Sequence, residues 1–213
     1  MPCHSVGQNP YSLPWPSPEY SGRSSPAALV AHGNKQKELT DMQGNQTASE
    51  KTYRLIIMAA LSAILLVGQL GMAFLPNIEV VSTLIILYTL SYKKLVFPIL
   101  YTFVLLEGAV FGFGIWWVSY LYIWSILALI VLALRKMDSA LLWAVVSGAF
   151  GLSFGALCAI PYLISGGLYA AFSYWSAGIP YDILHCAGNF VLTLVLYRPL
   201  SNLLKHLRPP YPL

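Results

Sequence analysis

Charge is what this sequence has least of. Lys, Arg, Asp and Glu together make up 9% of its 213 residues, against roughly 25% in an ordinary soluble domain. The scarcity is also uneven: no Lys or Arg occurs around Pro76–Asn77, around Trp116–Trp117 or in the stretch Ser165–Tyr181. No G-x-x-x-x-G-K-[ST] run is present, so the chain lacks the phosphate-cradling loop of an ATPase. Cysteine is sparse too. Cys3, Cys158 and Cys186 have no metal-ligand spacing and imply no disulfide framework; the latter two lie in apolar segments and read as small buried hydrophobes.

What fills the sequence instead is apolar. Hydrophobic residues account for 57% and the mean hydropathy is +0.66, so lipid, not water, is the expected solvent. The net charge of +4 does not point to nucleic acid, because the basic residues are dispersed between apolar runs. Arg23, Lys35, Lys37, Lys51 and Arg54 precede the first run; Lys93 and Lys94 separate the second from the third, and Arg135 and Lys136 the fourth from the fifth. Arg198, Lys205 and Arg208 close the chain. Basic residues stay cytoplasmic during insertion, so both termini are expected inside, with an even number of crossings.

A helical span needs roughly 20 apolar residues. The runs predict crossings over about 54–74, 78–92, 95–115, 117–134, 140–164 and 183–204. The second is short, and must thin the bilayer locally or be sheltered by its neighbours. The expected fold is therefore an all-α integral membrane protein, a six-transmembrane-helix bundle occupying residues 51–208. Residues 1–50, rich in Pro, Ser, Gly, Gln and Asn, are expected to be a disordered polar tail. Translation starting at Met42 would leave only a short lead into the first span; N-terminal sequencing that finds Met1 or Pro2 in the native protein would refute this.

Polar residues inside such a bundle are expensive, and therefore informative. Glu107 sits about 18 Å into the third span. An acid near the bilayer centre costs on the order of 3 kcal/mol on insertion scales, which makes it a functional candidate unless a partner in the bundle neutralises it. Glu79, at the outer start of the second span, is either a ligand contact or a helix-start charge. Asp182, His185 and Asn189 recur at i, i+3, i+7 and so project from one face of the sixth span. They join helices by hydrogen bonds or face a ligand. On the fourth span Trp117, Tyr120 and Trp124 repeat the spacing, as core, lipid-facing or stacking rings, and Trp116 suits an interfacial belt. Tyr169, Phe172, Tyr174, Trp175 and Tyr181, in the expected outer loop, would supply further stacking surfaces. Small residues allow close helix approach in lipid: Gly148, Gly151 and Gly155 on the fifth span read as internal packing, Ala59 and Ala63 on the first as packing or docking.

Over residues 50–208 this pattern resembles the substrate-binding S component of an energy-coupling factor transporter, a prokaryotic vitamin-uptake class. The resemblance is carried by six spans with both ends inside, by Ala59-xxx-Ala63, and by the stretches Leu75–Val81 (LPNIEVV) and Gly178–Asn189 (GIPYDILHCAGN). It implies a plasma-membrane subunit that captures a small vitamin-like molecule from outside and topples to release it inward. It further implies that Ala59 and Ala63 dock a transmembrane T component, and that ATP is used by two separate ATPase subunits, with no cofactor on this chain. The expected substrate-binding set is Glu79, Glu107, Trp117, Tyr120, Trp124, Trp175, Tyr181, Asp182, His185 and Asn189, with no catalytic residue. Carboxylates and rings suit a flat nitrogen heterocycle. The competing readings are a stand-alone secondary transporter or channel, and an intramembrane serine protease using Ser147 and His185.

Overall fold

The computed structural model describes residues 26–206 of the chain, and Cys3, Arg23 and Arg208 lie outside them. Two units are distinguished, residues 1–49 and 50–213. The element order is α1 (Pro26–Met72), α2 (Val81–Tyr92), a 3-10 turn (Lys93–Leu95), α3 (Val96–Phe111), α4 (Ile115–Ala133), α5 (Ala140–Cys158) and α6 (Ile160–His206). Among the described residues there is no strand. That is compatible with lipid as solvent, where a helix satisfies its backbone polar groups within itself.

Five stretches are long and apolar enough to cross a membrane: Ser49–Met72, Val81–Phe111, Ile115–Ala133, Ala140–Cys158 and Ile160–His206. The second of these contains both α2 and α3, so six expected runs correspond to five continuous stretches. Of the expected polar tail, residues 26–50 are helical in α1 and the rest lies outside the described residues. Pro26 at a first helical position and the Ala, Leu, Lys, Gln and Glu that follow favour helix, a local propensity that outweighs the polar composition.

The short α2 is sheltered. Its 12 residues reach only about 18 Å, less than a hydrocarbon core of about 30 Å. It packs on α3, α4, α5 and α6, and every residue from Val81 to Thr89 is buried. Its hydroxyls are used inside the bundle; that of Thr83 meets the Thr193 hydroxyl of α6 at 2.8 Å. The α1 span joins through Leu61, Ser62 and Leu65, which are buried. The Ser62 hydroxyl lies 2.9 Å from the Ile99 carbonyl of α3.

Breaks occur where the backbone turns left-handed. Asn77 (φ 55) follows Pro76 between α1 and α2, and Lys93 (φ 53) separates α2 from α3. Gly112 (φ 86) ends α3, a conformation glycine adopts at little cost. The interruption between the third and fourth spans therefore falls at Gly112–Gly114, not at Trp116. The expected outer loop is corrected more substantially: α6 is two helices joined at Gly167 (φ 72), and residues 165–181 are otherwise helical. The chain reverses at Gly167, so α5 with residues 160–166 forms an antiparallel hairpin with residues 168–206. Tyr162 and Tyr174 stack across it with centroids 4.2 Å apart. Gly148, Gly151 and Gly155 set its spacing; a Cβ on Gly151 would stand 2.8 Å from the His185 carbonyl oxygen, so the internal-packing reading of these glycines holds.

Candidate functional site

Five helices and the connection between α1 and α2 line one cavity of about 360 Å³. Each does so from the end remote from its basic residues. Gln69 and Met72 come from the last turn of α1, and Leu75–Ile78 from the connection that follows. Glu79 leads into α2, Glu107 and Phe111 come late in α3, and Trp116, Tyr120 and Trp124 early in α4. Phe154 lies late in α5, and His185 completes the lining from α6. Lys93, Lys94, Arg135, Lys136 and Lys205 sit at the opposite helix ends.

The polar side of the cavity is organised around Glu79. Its carboxylate accepts the backbone N–H of Ser82 at 3.2 and 3.1 Å and the Ser82 hydroxyl at 2.6 Å, so it caps the buried N-terminus of α2, where negative charge is favoured. The Ser82 oxygen in turn accepts from Asn189 Nδ2 at 3.1 Å. From the other side, His185 Nε2 lies 3.2 Å from Glu79 Oε1. Helix-start charge and cavity wall are thus one role for Glu79, because the first turn of α2 opens onto the cavity.

The opposite wall is aromatic. Tyr120 meets Trp124 edge-on with centroids 5.4 Å apart; Trp124 tilts against Phe154 at 5.6 Å, and Phe154 packs on the His185 imidazole at 4.8 Å. The buried polar atoms without a hydrogen-bond partner among the described residues include Gln69 Oε1, Glu107 Oε1, Trp124 Nε1 and His185 Nδ1. All four side chains line the cavity. Such groups are rarely left unsatisfied in a folded protein unless a site needs them. Two are acceptors, one is a donor, and the imidazole nitrogen is either according to its protonation.

Five of the ten expected substrate residues, Glu79, Glu107, Tyr120, Trp124 and His185, are therefore brought together. The other five are not in the lining. Trp117 turns away and donates its Nε1–H to the Val104 carbonyl at 2.8 Å, tying α4 to α3. Asp182 accepts the Gly155 N–H at 2.9 Å and so joins α6 to α5. Asn189 is buried one layer behind the cavity, reaching Ser82 and the Ser147 carbonyl. Trp175 and Tyr181 are exposed on α6, because the segment expected to fold over the site as a loop is instead part of the hairpin. Asp182, His185 and Asn189 do share a face, but only the middle residue of the three looks into the cavity.

Gln69, Phe154 and Trp116 were missed. Gln69 carried a usable signal, as a lone amide near the outer end of an apolar run. Phe154 carried none, since nothing in α5 distinguishes it from Phe150. The Ser147 hydroxyl is buried and has no hydrogen-bond partner among the described residues, His185 included. Ala59 and Ala63 are exposed on α1, on the surface left free when Leu61, Ser62 and Leu65 pack inward. The chain matches no family model, no curated protein and no solved structure.

Proposed function

We propose that this chain is the substrate-capture subunit of an ATP-driven importer of the energy-coupling factor type, taking up a small vitamin-like heterocycle from outside. The observation that carries the proposal is the convergence of four unpartnered buried polar groups on one aromatic cavity, at the end of the bundle free of Lys and Arg. The two sequence stretches behind the resemblance support it as well. Leu75–Glu79 forms one rim of the cavity and His185 a wall, with Asp182 and Asn189 fixing the helix that carries His185. A volume of about 360 Å³ stands at the small end of the roughly 300–1,000 Å³ usual for ligand sites. It suits a one- or two-ring molecule and not a large macrocycle such as cobalamin.

In this proposal Val81–Phe111 makes two crossings, folding back at Lys93–Leu95, because Glu79 before it and Glu107 near its end line the same cavity. That makes six spans, with both termini on the cytoplasmic side of a prokaryotic plasma membrane. The exposed Ala59 and Ala63 face receives the T component, and two ATPase subunits use ATP. The test is mass spectrometry of small molecules released from the detergent-purified chain, followed by uptake assays with and without the ATPase subunits. A single stoichiometric heterocycle and ATPase-dependent uptake are expected. An empty protein with ATPase-independent uptake would overturn the proposal in favour of a stand-alone transporter.

A further inference from the structure

Within the capture reading, on which this step rests, the charge inventory of the cavity restricts the ligand further. Two carboxylates line it, Glu79 and Glu107, and no Lys or Arg does. The single residue there able to carry positive charge is His185, and it faces Glu79 at 3.2 Å. Glu79 is further satisfied by the N–H and hydroxyl of Ser82. Glu107 is left without a compensating cation: it is 2% exposed, and its Oε1 has no partner. Trp124, also 2% exposed, lines the same cavity and carries an Nε1–H that no described residue accepts. Aromatic faces attract cations through their quadrupole, and Trp116, Tyr120 and Trp124 all line this cavity. An anion would enter beside two carboxylates with no basic side chain to receive it.

We infer that the cavity selects a flat heterocycle bearing positive charge or an N–H donor on the edge that meets Glu107 and an acceptor atom that meets the Trp124 indole N–H, and that it rejects carboxylate- and phosphate-bearing molecules. Ligands of this class are amidine-like or aminated ring compounds. Glu107 is then the ligand's counter-charge, and the Glu79–His185 pair is the frame that holds the opposite wall.

The experiment is calorimetry at pH 7 on the full chain in detergent, with benzamidine, 4-aminopyridine and thiamine as cationic probes and benzoate, nicotinate and pantothenate as anionic ones. At least one cation is expected to bind tenfold or more tighter than every anion, and Glu107→Gln is expected to weaken it at least tenfold. The preference among probes is measured on the unmodified protein, so it stands even if Glu107→Gln fails to fold; Glu107→Asp, retaining the charge, should keep the order. Tighter binding of an anion, or cation binding unchanged in a folded Glu107→Gln protein, overturns the charge inference and leaves capture standing. Saturable binding of none of the six overturns both.

Discussion

Glu79 Oε1 and His185 Nε2 meet at 3.2 Å across 106 positions of sequence, joining the start of α2 to the middle of α6 at the floor of the cavity. Glu79 is also held by the N–H and hydroxyl of Ser82, whereas the other ring nitrogen of His185 has no partner among the described residues. His185 is also pressed against Phe154, so the pair couples three helices.

Its coupling is measurable. Glu79→Gln and His185→Gln each keep polar atoms in place while altering the pair. A double-mutant cycle on denaturant unfolding in micelles should give an interaction energy of about 0.5–3 kcal/mol. Additive effects would show that the contact contributes nothing beyond its separate parts.

Two tryptophans two turns apart on α4 should differ in their effect on ligand affinity. Trp117→Phe removes the bond to the Val104 carbonyl and should cost about 1 kcal/mol of stability with ligand affinity unchanged. Trp124→Phe keeps a six-membered aromatic ring but removes the rest of a buried indole and an N–H that no described residue accepts. It should lower the melting temperature through the lost volume and, unlike Trp117→Phe, also lower affinity about tenfold, equivalent to about 1.4 kcal/mol. Reversed effects on affinity would exchange the two assignments.

Glycine replacements in the α5–α6 hairpin should change sign with position. Gly178 has open space around it, and Gly178→Ala should stabilise α6 by up to about 1 kcal/mol through helix propensity. Gly151→Ala forces a methyl against the His185 backbone and should destabilise by about 1–3 kcal/mol. Thermal unfolding of both variants decides it; equal shifts would mean that α6 is not seated on that glycine.

Ala63 is exposed on α1 and takes no part in the core. Ala63→Trp should therefore leave ligand binding intact and, under the proposed docking role, abolish co-purification with a T component. Assembly at wild-type yield would remove Ala59 and Ala63 from the docking surface and assign them to lipid.

Much of the fold was legible before any coordinates. Apolar runs bounded by basic residues mark helices because insertion and backbone satisfaction in lipid depend on composition, hardly at all on partners. Glu107 stood out for the same reason, as did the clustering of acids away from the basic ends. The errors lie where composition stops deciding. Residues 165–181 look like a loop by their Gly, Ser and Pro content, yet the reversal is confined to Gly167 and helix resumes directly after it, because α5 offers a partner surface. The shelter of α2 likewise depends on four neighbours that its own 12 residues do not reveal.

Spacing told us that Asp182, His185 and Asn189 lie on one stripe of α6, because 3.6 residues per turn is a property of the backbone. It could not tell which of them faces the cavity. That depended on Gly155 coming close enough to occupy Asp182, on Ser82 reaching Asn189, and on the α2 start bringing Glu79 to His185. The sequence by itself determined the helices, the distribution of charge between their ends and the costly buried acid, all of which follow from local chemistry and the solvent. Only the tertiary structure divided the polar residues into those that join helices and those left to meet a ligand, since a hydrogen-bond partner is a matter of distance in space, and residues more than a hundred positions apart have none until the bundle closes.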